Sequence, residues 1–375
     1  MKIVYITEFP IPAPYANCLH SLKMCDAFAG LGVDLLMLAP LSDRAVSVDI
    51  MQIKLDYDLH NVFQVKHLPS RMPGGRVYRY AFSCYRLLHR MRPDLVFTIS
   101  AACGLAAVKA GIPVIFEGHE TIGGRIRRPL LQALLHHKRF LSLVTVSSAL
   151  KEHFVEEHGV HPERIYVARN AADEAKALAP SEYRSRLAVG YAGSLGADVG
   201  RGIDLIVHIA ERMPDIDFHL YGGSAGQVSY WKKKSSAPNL TFHGHVSLRQ
   251  VKQELAGMDI LVAPYQRAVI LAGGVDSSRY MSPMKVFDYM AQGKAIVASR
   301  LPAIEEVLTD GQDALLCDPA DGDAWVAAID SLSHDQQLRT ALGEAAHREF
   351  MMRYRWQVRA EEILKHAEML PQREL

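Results

Sequence analysis

Short, continuously apolar runs alternate with segments of helical period along most of this chain of 375 residues. In the first half the apolar runs are 2–7, 33–39, 95–99, 114–117 and 143–146. The segment 17–29 is typical of a helix, because apolar side chains recur on one stripe from Cys18 to Ala29. Continuously apolar strands that alternate with helices predict a parallel sheet covered on both faces.

The alternation stops and then starts again in the second half. Segment 173–186 carries Ala, Glu and Pro without a clear period, which is typical of a linker. Apolar runs resume at 187–192, 216–221, 240–242, 259–263 and 295–298. We therefore predict two Rossmann-like, doubly wound α/β domains, with a final helix that packs back on the first. The predicted ranges are 1–172, 187–354 and, for the helix, about 355–375. Ligands of such sheets bind beyond the carboxyl ends of the strands, so the site is expected in a deep cleft between the domains.

Charge is unevenly distributed although the net charge is only +1. Residues 1–172 hold 20 basic against 14 acidic side chains, and the remainder is acidic. The first domain is therefore expected to favour an anionic partner. Nucleic acid is not expected, because neither a stacking module nor a groove-reading motif is present.

The five cysteines are odd in number and lack the spacing of metal ligands. We expect buried, reduced thiols in a cytoplasmic protein, and neither a metal nor another cofactor. The first apolar run begins at Lys2 and is too short for a signal peptide. A spanning helix is not expected either, because no apolar run approaches the roughly 18 residues that a membrane requires.

The most specific local pattern is a helix start followed by a buried strand. Ser282 is a typical N-cap, Pro283 fits the first helical position, and Gly293 is a typical stop. Lys285 lies in the first turn, whose N–H groups attract anions, and Asp288 follows one turn later. The pattern predicts a phosphate at the helix start and a sugar hydroxyl on Asp288, as in a nucleotide-sugar site. The alternative is an ordinary capped helix with a surface Lys and Asp.

A glycine-rich loop opens the second domain, between a strand and a helix at 203–213. Its glycines are Gly193, Gly196, Gly200 and Gly202. They do not follow the G-x-G-x-x-G pattern, and a Walker lysine is absent. Such a turn alone indicates tight packing more often than phosphate binding. Because Arg201 lies in this loop and the helix start at Ser282 also favours an anion, we interpret the loop as a second wall of one diphosphate site.

A series of landmarks runs in order through nearly the whole sequence. They read MKIVYITEFP, IPVIFEGHE, TVSSALKEHF, ERIYVARNAAD, VGYAGSLGADVGRGIDL, FHLYGG, LTFHGHV, MDILVAPY, SPMKVFDYMAQGKAIVASRLPAIEEVL and GQDALLCDPAD. In this order the chain resembles the retaining family-4 glycosyltransferases, which have the GT-B fold of two Rossmann-like domains. The resemblance implies transfer of a sugar, with retention, from a nucleoside diphosphate to an acceptor hydroxyl. The donor is expected to be a UDP-sugar rather than a GDP-sugar, and the pathway a bacterial polysaccharide or glycolipid synthesis.

The resemblance also implies roles for individual residues. Arg201 and Lys285 would hold the departing diphosphate, and His119 would contact the donor sugar. From spacing alone, His119 is equally well interpreted as an ordinary loop histidine. Further implied donor contacts are Asn17, Gly193, Ser194, His243, Val246, Ser282, Met284 and Asp288, with Asp288 on the ribose and His243 and Val246 near the base.

The chain departs from the family pattern in three places. The loop after the first strand, 9–17, has Ala16 and Asn17 where glycines are common. Ser194 replaces an arginine. The first of two glutamates spaced eight positions apart is Tyr280, and the second is Asp288. The substitutes available for the missing glutamate are Asp276, Tyr280 and Ser282.

A basic stretch without acidic residues lies in the first domain. It contains Arg71, Arg76, Arg79, Arg86, Arg90 and Arg92, interleaved with Tyr78, Tyr80, Phe82 and Tyr85. A second cluster contains Arg125, Arg127, Arg128, Lys138 and Arg139. We expect a lipid-linked or anionic acceptor, met peripherally at the inner face of the cytoplasmic membrane. The alternative is a solvated helix face.

No carboxylate nucleophile emerges from the sequence, so front-face displacement is the expected mechanism. Two other functions remain open. A nucleotide-sugar 2-epimerase would use carboxylates such as Glu117 and Glu120. A non-catalytic nucleotide-sugar-binding partner would fit the loss of glutamate at Tyr280.

Overall fold

The computed structural model describes residues 1–13, 16–41, 50–70, 76–122, 127–175, 186–196, 200–270 and 276–370. It divides into two compact units. Unit 1 comprises Met1–Arg169 together with Trp356–Leu375, and unit 2 comprises Asn170–Arg355. The chain thus leaves unit 1 three residues before the predicted boundary at 172 and returns to it at Trp356.

Unit 1 contains, among its described residues, a seven-stranded parallel sheet in the order β3-β2-β1-β4-β5-β6-β7. The strands are β1 (Lys2–Ile6), β2 (Asp34–Pro40), β3 (Gln64–Leu68), β4 (Leu95–Thr98), β5 (Val114–Gly118), β6 (Phe140–Thr145) and β7 (Ile165–Val167). The helices are α1 (Ala16–Gly30), α2 (Ile50–Asp56), α3 (Arg76–Met91), α4 (Ala101–Lys109), α5 (Arg127–Leu135) and α6 (Ser148–His158). The last helix of the chain, α14 (Trp356–Met369), also belongs to this unit.

Unit 2 contains, in the part that is described, a six-stranded parallel sheet in the order β10-β9-β8-β11-β12-β13. The strands are β8 (Ala188–Ala192), β9 (Asp217–Tyr221), β10 (Leu240–Gly244), β11 (Ile260–Ala263), β12 (Ala295–Ser299) and β13 (Leu315–Cys317). The helices are α7 (Ile203–Arg212), α8 (Ala225–Lys234), α9 (Leu248–Ala256), α10 (Met284–Gln292), α11 (Pro302–Glu305), α12 (Gly322–His334) and α13 (Gln336–Arg353). Separate apolar clusters cover the two faces of this sheet, one containing Trp231 and Trp325 and the other Phe287 and Tyr289.

These two Rossmann-like units confirm the predicted fold class. The predicted strands lie within two or three residues of the observed ones, and three edge or near-edge strands were missed. Those strands are β3, β7 and β13. β3 reads QVKHL, and its alternating exposure leaves no continuous apolar run. β7 and β13 have three residues each, which is too short for a periodic signal.

The predicted start of α10 was wrong by one residue. Pro283 occupies the N-cap position instead of the first helical position, and α10 begins at Met284. The Ser282 hydroxyl accepts a hydrogen bond from the backbone N–H of Asn170 at 2.9 Å, so it is used outside the helix. Gly293 ends the helix as predicted, with a left-handed φ of 64°.

The five cysteines are free and buried, as the sequence predicts. Among the residues that the structure describes, no helix combines the length and the apolar character needed to cross a bilayer.

Candidate functional site

Each sheet reverses its strand order once. The polar cluster of unit 2 lies beside the strands of its reversal, and that of unit 1 is centred on β5, one strand away from the reversal. In unit 1 the reversal falls between β1 and β4, and in unit 2 between β8 and β11. Loops that leave neighbouring strands at such a point diverge and open a crevice for a ligand. In unit 2 the two loops also meet, because the N–H of Gln266 donates to the carbonyl oxygen of Gly200 at 3.0 Å.

Two cations lie together in unit 2, and neither forms an ion pair with a carboxylate of the described residues. Lys285 projects from the first turn of α10, and its Nζ lies 4.0 Å from the ring centroid of Tyr191 and 4.6 Å from that of Tyr265. The carbon Cζ of the Arg201 guanidinium lies 5.4 Å from the centroid of the Tyr265 ring. Both rings therefore present negative π-faces to positive groups.

The nitrogens of this cluster have unused hydrogen-bonding capacity. Nζ of Lys285 and Nε of Arg201 are buried and have no hydrogen-bond partner among the described residues. Burial, and secondarily the charge of Arg201, holds the pKa of Lys285 well below its usual range. Burial raises the pKa of Tyr265 to about 12, so this hydroxyl stays neutral and cannot balance the cations. A bound anion would supply the missing charge.

The glycine loop is shaped by close backbone approaches. A Cβ on Gly193 would lie 3.0 Å from Nζ of Lys285 and 2.9 Å from the Tyr191 hydroxyl. A Cβ on Gly200 or Gly202 would lie 1.8 Å from a backbone carbonyl oxygen, and both glycines have a left-handed φ. The glycine-rich loop therefore packs against Lys285 and against the loop that follows β11, and these contacts require glycine at the three positions.

A second polar cluster lies in unit 1 around Glu117, the fourth residue of β5. Its buried carboxylate lies 3.1 Å from Nε2 of His20 and 3.2 Å from Nε2 of His119. Arg359 of α14 donates from Nη2 to the same carboxylate at 2.5 Å. The guanidinium also donates to the carbonyl oxygens of Arg169 and Ala168, so it is well held.

The charge states of this cluster follow from its surroundings. Burial alone would raise the pKa of Glu117, but the charge of Arg359 and the two histidines hold that pKa well below its usual range. Burial lowers the pKa of His20 to about 4, so this imidazole is neutral near pH 7. The cluster therefore contains one buried ion pair and a neutral buried histidine.

Family models and relatives match almost the whole chain. A model described as "Glycosyltransferase Family 4" matches residues 19–176, and one described as "Glycosyl transferases group 1" matches residues 186–335. The phosphatidyl-myo-inositol mannosyltransferase of Mycolicibacterium smegmatis is 22% identical over 97% of this chain and 93% of its own length. This chain is a GT-B glycosyltransferase. The two family models are both of glycosyltransferases, and the residues that they match lie mainly in unit 1 and in unit 2, respectively.

Solved structures of similar fold cover the enzyme from end to end. Anabaena HepE, in complex with UDP, has a TM-score of 0.72 and 14% identity, covering 98% of this chain and 100% of its own. Sucrose-phosphate synthase from Thermosynechococcus elongatus has a TM-score of 0.74 and 13% identity, covering 97% of each chain. At these identities the similarity shows the fold.

The structure brings some predicted site residues of this glycosyltransferase together and separates others. Gly193, Arg201 and Lys285 form one cluster in unit 2. Burial is the main cause of the raised pKa of Tyr265, and the charge of Asp288, which follows on α10, adds to that rise. Met284 is the first residue of α10, and no side chain caps this helix start among the described residues.

Three predicted donor contacts have surroundings that the sequence does not predict. Asn17 was placed in the loop after β1, but it is an exposed residue in the first turn of α1. The Ser194 hydroxyl accepts from the N–H of Gly196 at 3.3 Å and so shapes the loop. Ser282 binds Asn170 through its hydroxyl and its carbonyl oxygen.

The candidates for the missing glutamate differ in their surroundings. Oδ1 of Asp276 accepts from the N–H groups of Val269 and Ser278, which lower its pKa and tie this oxygen to its own turn. Tyr280 is half-buried, with the guanidinium of Arg279 at 5.5 Å over its ring. Neither observation assigns a ligand contact.

The predicted base edge lies at an irregularity of β10. The register with β9 shifts between Phe242 and Gly244, so His243 bulges from the strand. Its ring stacks on Tyr221 with a centroid distance of 4.3 Å, and Nε2 lies 3.1 Å from Nδ1 of His219. Val246 is half-buried two residues beyond the strand.

Sequence patterns alone missed several residues of these clusters. Tyr191 and Tyr265 lie in or next to apolar strands, where an aromatic residue is interpreted as core. His20 belongs to a helix that shows no catalytic motif, and Arg359 is 242 residues away from Glu117 along the chain. Glu117 was noted only as a possible epimerase carboxylate.

Proposed function

We propose that this glycosyltransferase binds the diphosphate of a UDP-sugar at Arg201 and Lys285 and transfers the sugar to an acceptor hydroxyl with retention. The observation that carries this proposal is the pair of buried cationic nitrogens without hydrogen-bond partners in the described chain. Unsatisfied buried donors are costly, and two adjacent cations add repulsion to that cost. A diphosphate removes both penalties at once.

Two further features support a diphosphate over a smaller anion. The uncapped start of α10 adds N–H groups beside Lys285, and Gly193 leaves open the space that a Cβ would occupy. Anabaena HepE, which shares the fold, was solved with UDP, and this favours uridine over guanosine as the base.

The proposed chemistry needs stabilisation of the leaving group more than a protein nucleophile. The bond between C1 of the sugar and the β-phosphate oxygen breaks, and negative charge develops on that phosphate. Arg201 and Lys285 stabilise this charge in a buried setting, where such contacts are strong. The acceptor oxygen forms its bond to C1 on the same face, and its proton passes to the departing phosphate. His119 is proposed to contact the donor sugar, and no metal takes part.

The remaining parts of the donor are assigned by the same proposal. Asp288 accepts from the ribose hydroxyls, and the backbone near His243 and Val246 meets the base. The stacked rings of Tyr221 and His243 give this edge a fixed aromatic surface.

Epimerisation of the free donor is less well supported than transfer. It would require Glu117 to exchange protons with the sugar, but Arg359 holds this carboxylate ionised and buried. Glu120 lies 3.9 Å from Arg127 and is exposed enough for solvent to screen the pair. A non-catalytic binding role, suggested by Tyr280, predicts donor binding without turnover.

The test is a turnover assay with UDP-glucose, UDP-galactose, UDP-N-acetylglucosamine and GDP-mannose, with and without a panel of glycan and glycolipid acceptors. Proton NMR of the product gives the anomeric configuration. The proposal expects acceptor-dependent release of UDP and an α-linked product from an α-linked donor. Inversion, interconversion of the free donor, or binding without any turnover would each contradict it.

The acceptor is proposed to be lipid-linked or anionic, and the enzyme to meet it at the inner membrane face. Helix α3 exposes the apolar or aromatic side chains of Val77, Tyr78 and Phe82, and it also exposes Arg79, Arg86 and Arg90. Exposed apolar side chains beside arginines are more typical of an interface with anionic lipid than of a helix face that only contacts water.

The second predicted basic cluster supports the same acceptor less well. Arg127 and Arg128 pair with Glu8 and Glu157, so part of its charge is neutralised. Arg71, Arg125 and the side chain of Arg76 lie outside the described residues. The proposal for the membrane therefore rests on α3.

A further inference from the structure

Glu117 has more partners than a core ion pair needs. Its carboxylate accepts a hydrogen bond from Arg359. Nε2 of His20 and Nε2 of His119 both lie within 3.2 Å of the same carboxylate. A carboxylate has about four acceptor positions, so it can serve all three groups together. His20 and Glu117 are almost fully buried, whereas the His119 side chain is 20% exposed. Of the two imidazoles, His119 is the one that reaches the surface.

The carboxylate decides which ring nitrogen of His119 carries the proton. In a neutral imidazole one nitrogen is a donor and the other an acceptor. Nε2 of His119 lies 3.2 Å from the ionised carboxylate but makes no well-aligned hydrogen bond with the described residues. The attraction between an N–H group and this negative charge therefore favours the proton on Nε2. Nδ1 then has no proton and can accept a hydrogen bond from a hydroxyl group.

The ring orientation of His119 is fixed by the same cluster. The rings of His119 and His20 meet edge to face with centroids 4.6 Å apart. His20 in turn meets Trp356, the first residue of α14, edge to face at 5.2 Å. Since His20 is also held by Glu117, the neighbour that supports His119 is itself fixed.

We propose that Glu117 is a positioning residue that holds His119 as the Nε2–H tautomer, with Nδ1 as the acceptor for a hydroxyl of the donor sugar. Arg359, on helix α14, keeps this carboxylate ionised, and the charge of the carboxylate is what favours the proton on Nε2 of His119. This inference rests on the proposed function, because it requires that His119 meets the donor sugar.

The same three side chains are also ligand types for a divalent metal. One atom each of His20, Glu117 and His119 lie within 4.8 Å of one another. Arg359 argues against a resident ion, because its guanidinium already neutralises the carboxylate. A divalent cation would then add two uncompensated charges to a buried site, which is costly. The arrangement without a metal, in which His20 is hydrogen-bonded to Glu117 and His119 lies beside the same charge, is therefore favoured, and metal binding becomes an outcome of the test.

The first experiment uses the wild-type chain. Histidine 15N–1H correlation spectra in about pH 8 buffer, with His119→Asn to assign the signals, report the tautomer of His119. We expect a proton on Nε2 and none on Nδ1. The opposite tautomer would overturn the proposal. So would one equivalent of tightly bound zinc, measured on tag-free protein, that is lost in Glu117→Gln.

The second experiment uses Glu117→Gln, whose amide can turn its NH2 group towards His119 and favour the other tautomer. We expect kcat to fall about 10- to 100-fold, comparable with the loss when the carboxylate partner of a metal-bound histidine is removed. UDP affinity should not change, because UDP lacks the sugar. In a His119→Asn background, Glu117→Gln should have little further effect on kcat. An equal effect in both backgrounds would show a merely structural role and overturn the proposal.

The two proposals fail in different ways. If the protein binds no nucleoside diphosphate and transfers no sugar, the proposed function has failed. If it binds UDP and turns over, but Glu117→Gln keeps full kcat, only the role of Glu117 has failed. Should Glu117→Gln fail to fold because Arg359 is left unpaired, the tautomer in the wild-type protein still decides.

Discussion

Replacing Lys285 by Met should stabilise the free enzyme and weaken its binding of UDP. Met keeps the length of the side chain between Tyr191 and Tyr265 but removes the charge. In the free protein that charge is buried, lies beside Arg201 and lacks a hydrogen-bond partner in the described residues. Its pKa lies well below the usual range, so folding opposes the charged form.

The magnitude follows from two opposing contributions. A buried unsatisfied donor costs about 1–3 kcal/mol, and the lost contacts with the two rings contribute about 0.5–2 kcal/mol. We expect Lys285→Met to be about 1 kcal/mol more stable, which raises Tm by roughly 2–4 °C for a unit of this size. Loss of one charge-assisted hydrogen bond to the diphosphate costs about 1.5–3 kcal/mol, or about 10- to 150-fold in Kd.

Thermal unfolding without ligand and calorimetric titration with UDP and with uridine measure both effects. Lys109→Met is the matched control, because Lys109 is an exposed lysine at the end of α4. The control should change neither quantity. A Tm of Lys285→Met that is several degrees lower would show that the buried charge does not destabilise the free protein. Affinities for UDP and uridine that fall by the same factor would show that Lys285 does not bind the diphosphate.

Four further predictions test other parts of the account. Arg201→Ala should weaken UDP binding far more than uridine binding; equal losses would place the diphosphate elsewhere. Asp288→Asn should raise the Kd of the UDP-sugar, with a smaller effect on the 2′,3′-dideoxy donor, and an equal effect on both would remove Asp288 from the ribose. The folded-state pKa of Lys285 is depressed, so between that pKa and the unfolded value of about 10.4 the unfolded chain binds more protons, and wild-type stability should rise relative to Lys285→Met as the pH approaches about 10. Urea midpoints measure this difference, and a constant difference would contradict it. Changing Arg79, Arg86 and Arg90 to Gln should reduce co-sedimentation with anionic liposomes at low salt, at about 1 kcal/mol per charge, whereas changing Lys232, Lys233 and Lys234 should not.

The fold was largely predictable because its signal is local and repeated. Continuous apolar strands with helices between them specify a parallel sheet, and the two series gave both sheets. The missed strands show the limit of this signal. β3 alternates polar and apolar residues, and β7 and β13 are only three residues long.

The site was less predictable because its contacts cross long stretches of sequence. The helix start identified Lys285, but its ring partners were indistinguishable from core aromatics. Ser282 has the features of an N-cap, yet its hydroxyl accepts a hydrogen bond from the backbone N–H of Asn170, which lies 112 residues earlier. The partnership of Glu117 with Arg359 depends on where α14 packs, which no local pattern reports.

The central claim is that Arg201 and Lys285 hold the diphosphate of a nucleotide-sugar. A crystal structure of the enzyme with UDP tests it most directly. We expect phosphate oxygens about 3 Å from Nζ of Lys285 and from the guanidinium of Arg201. Ordered UDP whose phosphates contact neither side chain would contradict it.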